Sequence, residues 1–321
     1  MKYFITGGTG SLGKALVKRL QKQGHETVVY SRDEGKQALI YGTDNTVKKI
    51  IGDIRDFDKL LVSMKKERPD FVIHTAALKR VDDMEYYPDE CIKTNIHGSE
   101  NVARAALMTD VKKCTLISTD KACKPVNVYG SSKFIAERLF TNYDYDSPST
   151  IFSSVRYGNV VASRGSFIPL WMGLLSENKS INVTSLEMTR FLFTLEDAVD
   201  SVLAAVENSE GGEVFVPQIK SYNMKTILKA IERLHGSQFE YNIVGLRPGE
   251  KLHEDMLAET ELPFTYSVNE ESLLSIRPQY SKREHNKHQE QYNGPHFNSA
   301  LHIDENVESI LSLIRRGSKE V

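Results

Sequence analysis

The stretch Ser118 to Lys133, STDKACKPVNVYGSSK, crowds a tyrosine, an acid and several lysines into one segment. Tyr129 and Lys133 stand four residues apart, a spacing that projects both side chains from one face of a helix. Tyrosine is a poor base with a pKa near 10. A neighbouring ammonium stabilises the phenolate, so Lys133 is expected to lower that pKa. Such a pair can take a proton from a sugar or alcohol hydroxyl while hydride leaves the same carbon. The lysine can also hold the ribose of a nicotinamide. Upstream lie a second acid and amine, Asp120 and Lys121, directly after Thr119. By residue type alone these read equally well as a turn or cap residue and a surface lysine. Lys124 reads as solvated.

The elements that must position these groups follow from apolar periodicity. KYFIT (2–6), ETVVYS (26–31), VKKIIGD (47–53), DFVIHTAA (70–77), KCTLIST (113–119) and STIFSSVRYGNV (149–160) read as strands. Helical spacing lies between them in LGKALVKRLQKQG, stopping at Gly24, in FDKLLVSMKKE, around Cys91 to Leu107, and from Val128 onward. This alternation predicts an α/β protein with a doubly wound parallel sheet of the Rossmann type. Beyond Val160 the rhythm loosens. Helices are expected at 166–175, 194–208 and in NMKTILKAIERLHG, strands at 180–185 and 212–217, and a polar loop at 282–296. The expected division is a cofactor domain of residues 1–163, with 190–217 packing back on it, and a smaller mixed α/β substrate domain of 164–189 and 218–321.

The first strand runs into GGTGSLG and then a helix, which places Gly7, Gly10 and Gly13 where a backbone can approach a pyrophosphate at a helix N-terminus. Thr9, Ser11 and Leu12 belong to the same predicted cradle. At the end of the second strand an NAD site usually carries a carboxylate for the ribose 2′-hydroxyl. Here Ser31, Arg32 and Lys36 offer a hydroxyl and two cations suited to a 2′-phosphate, so NADP is the expected cofactor. The competing reading has Arg32 and Lys36 solvated and Asp33 serving NAD. Asp53 and Ile54 end the third strand where an adenine edge would lie, although Asp53 could instead be a helix N-cap. Thr75 and Ala76, after the fourth strand, complete the cofactor candidates.

The 321 residues carry a formal net charge of −2, which gives no field for nucleic acid or an anionic membrane. No apolar run approaches the roughly 18 residues of a membrane span. The first predicted strand begins at Lys2, which leaves no room for a secretory signal. Cys91, Cys114 and Cys123 lack metal-like spacing and suit a reducing cytoplasm, with Cys91 and Cys114 inert and buried.

Taken together, GGTGSLG, the Ser118-Thr119 strand end and Tyr129 with Lys133 resemble the extended short-chain dehydrogenase/reductases. HTAALKRV (74–81), CIKTNIHGSENV (91–102), RYGNVVASRGSFIP (156–169), MTRF (188–191) and LRPGEKLHEDML (246–257) narrow the resemblance. With the opening stretch they are similar to the soluble, 5-inverting UDP-N-acetylglucosamine 4,6-dehydratases, up to about Leu257. Dehydratases of glucose nucleotides that retain C5 usually have Asp-Glu where this chain has Asp120-Lys121. Membrane-anchored relatives with Asp-Lys resemble a pattern with Met at the position of Tyr129.

The resemblance implies roles. Tyr129 takes the C4 hydroxyl proton, Thr119 orients the 4-oxygen, Lys121 removes H5 and Asp120 protonates the departing 6-hydroxyl. Lys121 can be a base only as a neutral amine, so its pKa is expected to fall well below the usual value near 10.4. Lys79, Asn159, Val160, Ser163 and Arg164 are implied at the sugar nucleotide, with Arg247 for diphosphate and Glu250 for ribose hydroxyls. The implied substrate is UDP-N-acetylglucosamine and the implied assembly a homo-oligomer. A C5-retaining dehydratase, a 4-epimerase and a non-catalytic NADP sensor are the alternatives. His74, Trp171 and Phe191 read as structural.

Overall fold

The computed structural model of the protein describes residues 1–161, 163, 165–268 and 272–319. Six parallel strands, β1 (Lys2–Thr6), β2 (Glu26–Ser31), β3 (Val47–Ile51), β4 (Phe71–His74), β5 (Lys113–Ile117) and β6 (Ile151–Val155), form the first half. They alternate with α1 (Ser11–Lys22), α2 (Glu34–Tyr41), α3 (Phe57–Glu67), α4 (Val81–Tyr86), α5 (Pro88–Cys91), α6 (Gly98–Leu107) and α7 (Val128–Asp146). A π-helical turn, Ile92–His97, joins α5 to α6. The strand order is β3-β2-β1-β4-β5-β6. That order reverses between β1 and β4, and ligands of open α/β sheets bind outside the carboxyl ends at such a point.

Each helix buries the face its sequence makes apolar. On α1, Leu12, Leu16, Val17 and Leu20 are buried and meet one face of the sheet. The opposite face is covered by α3, α6 and α7 through Leu60, Val102, Ala106 and Phe140. Burying a large aliphatic side chain contributes about 1.5–3 kcal/mol, so these layers hold the strand ends rigidly.

The second half has β7 (Asn159–Val160), α8 (Phe167–Ser176), β8 (Ile181–Val183), β9 (Thr189–Phe193), α9 (Leu195–Asn208), β10 (Val214–Pro217), β11 (Ser221–Asn223), α10 (Met224–His235) and β12 (Tyr241–Ile243). It continues with β13 (Asp255–Leu257), β14 (Thr265–Val268), β15 (Leu273–Ile276), β16 (Phe297–Asn298) and α11 (Val307–Lys319). STIFSSVRYGNV is not one strand: β6 stays in the large sheet, while β7 pairs with β9 in another. Strand β10 extends the large sheet, and β15 and β14 add an antiparallel edge beyond it. A separate core gathers Trp171, Ile181, Ile227 and Ile310 from α8, β8, α10 and α11. The polar 282–296 segment is a tethered loop: Arg283 donates to Asp144 at 3.2 Å and to the Thr150 carbonyl at 2.8 Å.

Among the described residues, no helix is long and apolar enough to cross a membrane.

Candidate active site

The glycine-rich loop fits a dinucleotide by its shape. Gly7 has φ +70°, and a Cβ there would lie 2.7 Å from the Ala76 backbone nitrogen and 2.8 Å from Thr75 Oγ1. A Cβ on Gly13 would lie 2.6 Å from the Gly7 carbonyl. Gly10 caps α1 without a side-chain hydrogen bond, which suits the positive helix end to a phosphate. Thr9 and Leu12 are buried and Ser11 half-buried around it. Thr75 Oγ1 donates to the Thr6 carbonyl at 2.7 Å, which fixes the β4 side of the crevice.

At the end of β2, Ser31 Oγ accepts from Gln37 Nε2 at 2.9 Å. Asp33 caps α2 by accepting from the Lys36 N–H, and the Lys36 amine pairs with the same carboxylate at 2.8 Å. Lys36 therefore carries its own counter-ion. Arg32 stays half exposed, 3.6 Å from Asp53. Asp53 does not cap α3, because Asp56 does so. Its carboxylate binds Arg55 at 2.8 Å instead. Ile54 is buried against Gly98.

Thr119 ends the strand segment and caps a single 3₁₀ turn, Asp120–Ala122. Asp120 N–H donates to the Tyr157 carbonyl at 3.0 Å, which ties the turn to the chain after β6. Thr119 Oγ1 donates to Asp120 Oδ1 at 2.8 Å. The Lys121 amine lies 3.1 Å from Asp120 Oδ1 and 3.1 Å from Glu254 Oε1. Tyr129 stands beside Thr119, whose side chain acts on the phenol. The Thr119, Asp120 and Lys121 side chains thus form a continuous polar chain, with Tyr129 beside it.

Helix α7 starts where it does because Asn127 accepts from the Gly130 N–H at 2.6 Å. The same side chain donates to the Gly249 carbonyl at 2.6 Å. Gly130 is required by contact: a Cβ there would lie 2.2 Å from the Lys121 carbonyl. Lys133 is buried, and Glu137 follows one turn later. Glu137 pairs with fully buried Arg156 at 2.9 Å, and Arg156 also reaches Glu261 at 2.8 Å.

The protonation states depart from the sequence expectation twice. Burial pushes the Tyr129 phenol well above the ordinary tyrosine range, against a smaller opposing effect of the Thr119 side chain. Lys133 does not reverse this, since burial pulls its own pKa down to about 8, despite Glu137. Burial acts in the same direction on Lys121, but Asp120 and Glu254 outweigh it, so this amine lies above the ordinary lysine value. The expected fall of the Lys121 pKa is therefore reversed by a carboxylate that sequence spacing does not bring to it.

The remaining candidates do not form one cluster. Lys79 is exposed after β4. Asn159 is half-buried, and its Oδ1 accepts no hydrogen bond among the described residues. Val160 packs in the core, and Ser163 N–H turns back to the Val160 carbonyl. Arg164 lies outside the described residues. Arg247 pairs with Glu250 at 3.0 Å, so these two engage each other in this structure. Glu250 also lies 3.6 Å from Arg190.

Lys124 is not merely solvated: it pairs with Asp255 at 3.5 Å and Glu259 at 2.6 Å. His74 is structural, held between Thr6 at 2.7 Å and Ser99 at 2.9 Å, with burial lowering its pKa to about 3. Trp171 and Phe191 are core residues, and all three cysteines are buried and free.

Three residues of the site carried no separate signal in the sequence. Glu254 is an acid inside LRPGEKLHEDML, far from Lys121 along the chain. Arg190 lies in MTRF and donates to the Thr189, Lys251 and Leu252 carbonyls. Asn95 sits in the π-helical turn, where it accepts from Leu78 N–H at 2.8 Å and donates to Ser132 Oγ at 3.1 Å. A π-turn in an otherwise helical run cannot be read from apolar spacing.

Similarity to known proteins agrees with this geometry. UDP-N-acetylglucosamine 4,6-dehydratase (inverting) of Campylobacter jejuni is 43% identical over 282 residues, covering 85% of this chain and 82% of that protein. UDP-glucose 4-epimerase of Rickettsia bellii is 40% identical over 267 residues, covering 80% of this chain and 78% of that protein. The structure of Pen from Bacillus thuringiensis matches with a TM-score of 0.92 at 31% identity, over 100% of this chain and 98% of that one. DesIV, the dTDP-glucose 4,6-dehydratase of Streptomyces venezuelae, shares the fold with a TM-score of 0.71 at 18% identity, over 78% of this chain and 87% of that one. The sequence pattern of the polysaccharide biosynthesis protein family matches residues 3–275. By that match and these relatives, the chain belongs to the polysaccharide biosynthesis protein family, built on the fold of the short-chain dehydrogenase/reductase epimerases and dehydratases.

Proposed function

We propose that this protein is an NADP-dependent UDP-N-acetylglucosamine 4,6-dehydratase that inverts C5. The product is UDP-2-acetamido-2,6-dideoxy-L-arabino-hex-4-ulose. The observation that carries this reading is the hydrogen-bonded run from Thr119 through Asp120 to Lys121, with Tyr129 beside it. It adds an acid and an amine to a redox tyrosine. A 4-epimerase needs the tyrosine but neither an H5 base nor an acid for the 6-hydroxyl.

NADP+, when bound, would supply the hydride acceptor for C4 and the donor for C6, and a positive charge that would favour the phenolate. The Gly7–Gly13 loop, Thr75, Ala76 and Lys133 would hold it, with Arg32 toward the 2′-phosphate. Support for NADP comes from the end of β2, where the Asp33 carboxylate is engaged by Lys36 and Arg32 is half exposed. Tyr129 takes the C4 hydroxyl proton. The resulting 4-ketone acidifies H5.

Lys121 rests as an ammonium beside a carboxylate, so both need to change. One proton transfer from Lys121 Nζ to Asp120 Oδ1, across 3.1 Å, breaks an N–H bond and forms an O–H bond. It leaves a neutral amine to remove H5 and a carboxylic acid to protonate the departing 6-oxygen. Acid–base steps of this kind contribute factors of ~10²–10⁴ each. Reprotonation of C5 from the opposite face gives the inverted product.

We further propose that residues 1–163 and 190–217 serve the cofactor, and that 164–189 and 218–321 serve the sugar nucleotide. In the latter set Arg247 and Glu250 exchange their mutual pairing for diphosphate and ribose. Lys79, Asn159 and Ser163 line the sugar side, while Val160 supports them from the core. A cytoplasmic homo-oligomer is the proposed working form; the three free, buried cysteines fit the cytoplasmic part of that reading.

The test is incubation with UDP-N-acetylglucosamine in D₂O, followed by mass spectrometry and NMR. Loss of one water, with deuterium and L-arabino configuration at C5, is the expected result. An isomer of unchanged composition would instead make the protein an epimerase, and D configuration at C5 a retaining dehydratase. Arg32→Ala should weaken NADP binding roughly tenfold, the scale of one charged hydrogen bond, and leave NAD binding unchanged.

A further inference from the structure

Glu254 belongs to none of the roles above, yet it touches the acid–base centre directly. Its side chain is about 1% exposed, and its Oε1 lies 3.1 Å from the Lys121 amine. Asp120, equally buried, meets the same amine at 3.1 Å. Two buried carboxylates therefore flank one half-buried ammonium. Among the described residues, Asp120 Oδ2 and Glu254 Oε2 accept no hydrogen bond, although Lys251 approaches the latter at 4.0 Å. Buried carboxylate oxygens without partners are rare in structures, and each calls for a reason.

The backbone holds Glu254 in place from several directions. Its N–H donates to Ser299 Oγ at 2.8 Å, and Ser299 N–H donates back to the Glu254 carbonyl at 2.8 Å. Ser299 is wholly buried and shares a 2.6 Å hydrogen bond with Thr189. Lys251 donates to the Cys123 carbonyl at 2.9 Å, on the far side of the same 3₁₀ turn. The segment from Gly249 to Asp255 thus grips the turn that carries Asp120 and Lys121.

We propose that Glu254 is a positioning residue of the acid–base centre, anchoring the Lys121 amine from the C-terminal region and holding the proton that Lys121 and Asp120 share. The assignment rests on the reading of Lys121 as an acid–base residue. Asp120 alone could make an ion pair with Lys121. With Glu254 also present, three groups carry one excess negative charge, and the second carboxylate further favours the ammonium form of Lys121. The Glu254 anion, 3.1 Å from the amine, therefore resists loss of the shared proton and holds it on Lys121. The charged and titratable groups around Lys121 are Asp120 on its own turn, Glu254 and Lys251 on the C-terminal segment, Arg190 on β9, Tyr129 on α7 and Tyr157 after β6. Arg190 opposes the two carboxylates.

The decisive measurement titrates Lys121 in protein labelled with [ε-¹³C]lysine, its signal assigned by loss in Lys121→Arg. At about pH 10, near the free-lysine value, the wild-type signal is expected at its protonated position. In Glu254→Gln the midpoint should fall by about one unit or more, the scale of losing one adjacent opposite charge. Glu254→Asp keeps the charge and should titrate like the wild type. Coincident titration of wild type and Glu254→Gln would overturn the assignment.

Activity adds a second reading. The alkaline limb of the pH–rate profile, where the shared proton is lost, should move to lower pH in Glu254→Gln by the same amount. A stability comparison covers the case in which Glu254→Gln alone does not fold. Lys121→Met strands a buried carboxylate, so Lys121→Met with Glu254→Gln should unfold at higher denaturant than Lys121→Met alone. A double variant no more stable than the single one would also overturn the assignment. A shifted titration without dehydrated product from the wild type would sink the proposed function and leave Glu254 in its role. Dehydrated product with coincident titrations would do the reverse.

Discussion

The start of α7 buries one lysine, the 3₁₀ turn beside it half-buries another, and the two are treated in opposite ways. On α7, burial is the largest influence on Lys133, which falls to about 8, and the Glu137 carboxylate is already shared with Arg156. In the turn, Lys121 has two carboxylates at 3.1 Å, and its pKa rises despite burial. A carboxylate neutralised by an arginine offers a nearby amine little. Two with no such partner hold its proton firmly. One local pattern, a lysine near an acid, therefore yields a readily deprotonated amine in one place and a stored proton in the other.

The largest expected effect tests whether the two regions do separate chemistry. Lys121→Ala should lower formation of dehydrated product by ~10²–10⁴, while the cofactor is still reduced on mixing with substrate. Tyr129→Phe should lose both. Spectrophotometry of the reduced cofactor beside mass spectrometry of the sugar reads the two steps apart. Normal dehydration by Lys121→Ala would remove the distinction.

Next is Arg156→Ala, which leaves Glu137 and Glu261 buried without their cation. Breaking a buried pair this way costs about 3–5 kcal/mol, read by equilibrium denaturation. A freed Glu137 should also raise the Lys133 pKa, bringing α7 closer to the behaviour of the turn.

Gly130→Ala presses the helix against the turn, since its Cβ would lie 2.2 Å from the Lys121 carbonyl. Overpacking of this kind costs about 1–3 kcal/mol. Loss of dehydration beyond the loss of stability would show that the turn must sit against α7. Unchanged rates would show that it can move away.

The smallest effect is a slope. Between about pH 8, where folded Lys133 titrates, and about 10.4, where an unfolded lysine does, the unfolded chain binds more protons. The contribution of Lys133 to stability therefore rises with pH through that window. Below pH 8 both states are protonated, and the cost of the buried charge is present in full. Lys133→Met should flatten the slope in denaturation curves taken across the window. An unchanged slope would mean that Lys133 is not the lowered amine.

Much of this was legible in the chain itself. The β1–Gly7–Gly13–α1 unit, the parallel alternation up to β6 and the helical pairing of Tyr129 with Lys133 are local patterns. Their physical causes act over a few residues: steric freedom at glycine, apolar period and helix pitch. Helix α2 was missed because its first turn, Glu34-Gly35-Lys36, shows no apolar face. STIFSSVRYGNV was read as one strand because nothing in its alternation marks where the chain leaves the sheet. Strands β14 and β15 are short, and the pairing of β15 with β10 depends on the rest of the fold.

By itself, the sequence determined which groups this protein has for redox and acid–base work, and that Tyr129 and Lys133 share a helix face. Tertiary structure alone decided their charge states. Protonation depends on solvent exclusion and on charges within a few ångströms, and neither follows chain distance. Glu254 reaches Lys121 only because Ser299, Thr189 and Lys251 fasten its segment to the turn. The sequence supplied the amine, and the fold set the conditions under which it gives up its proton.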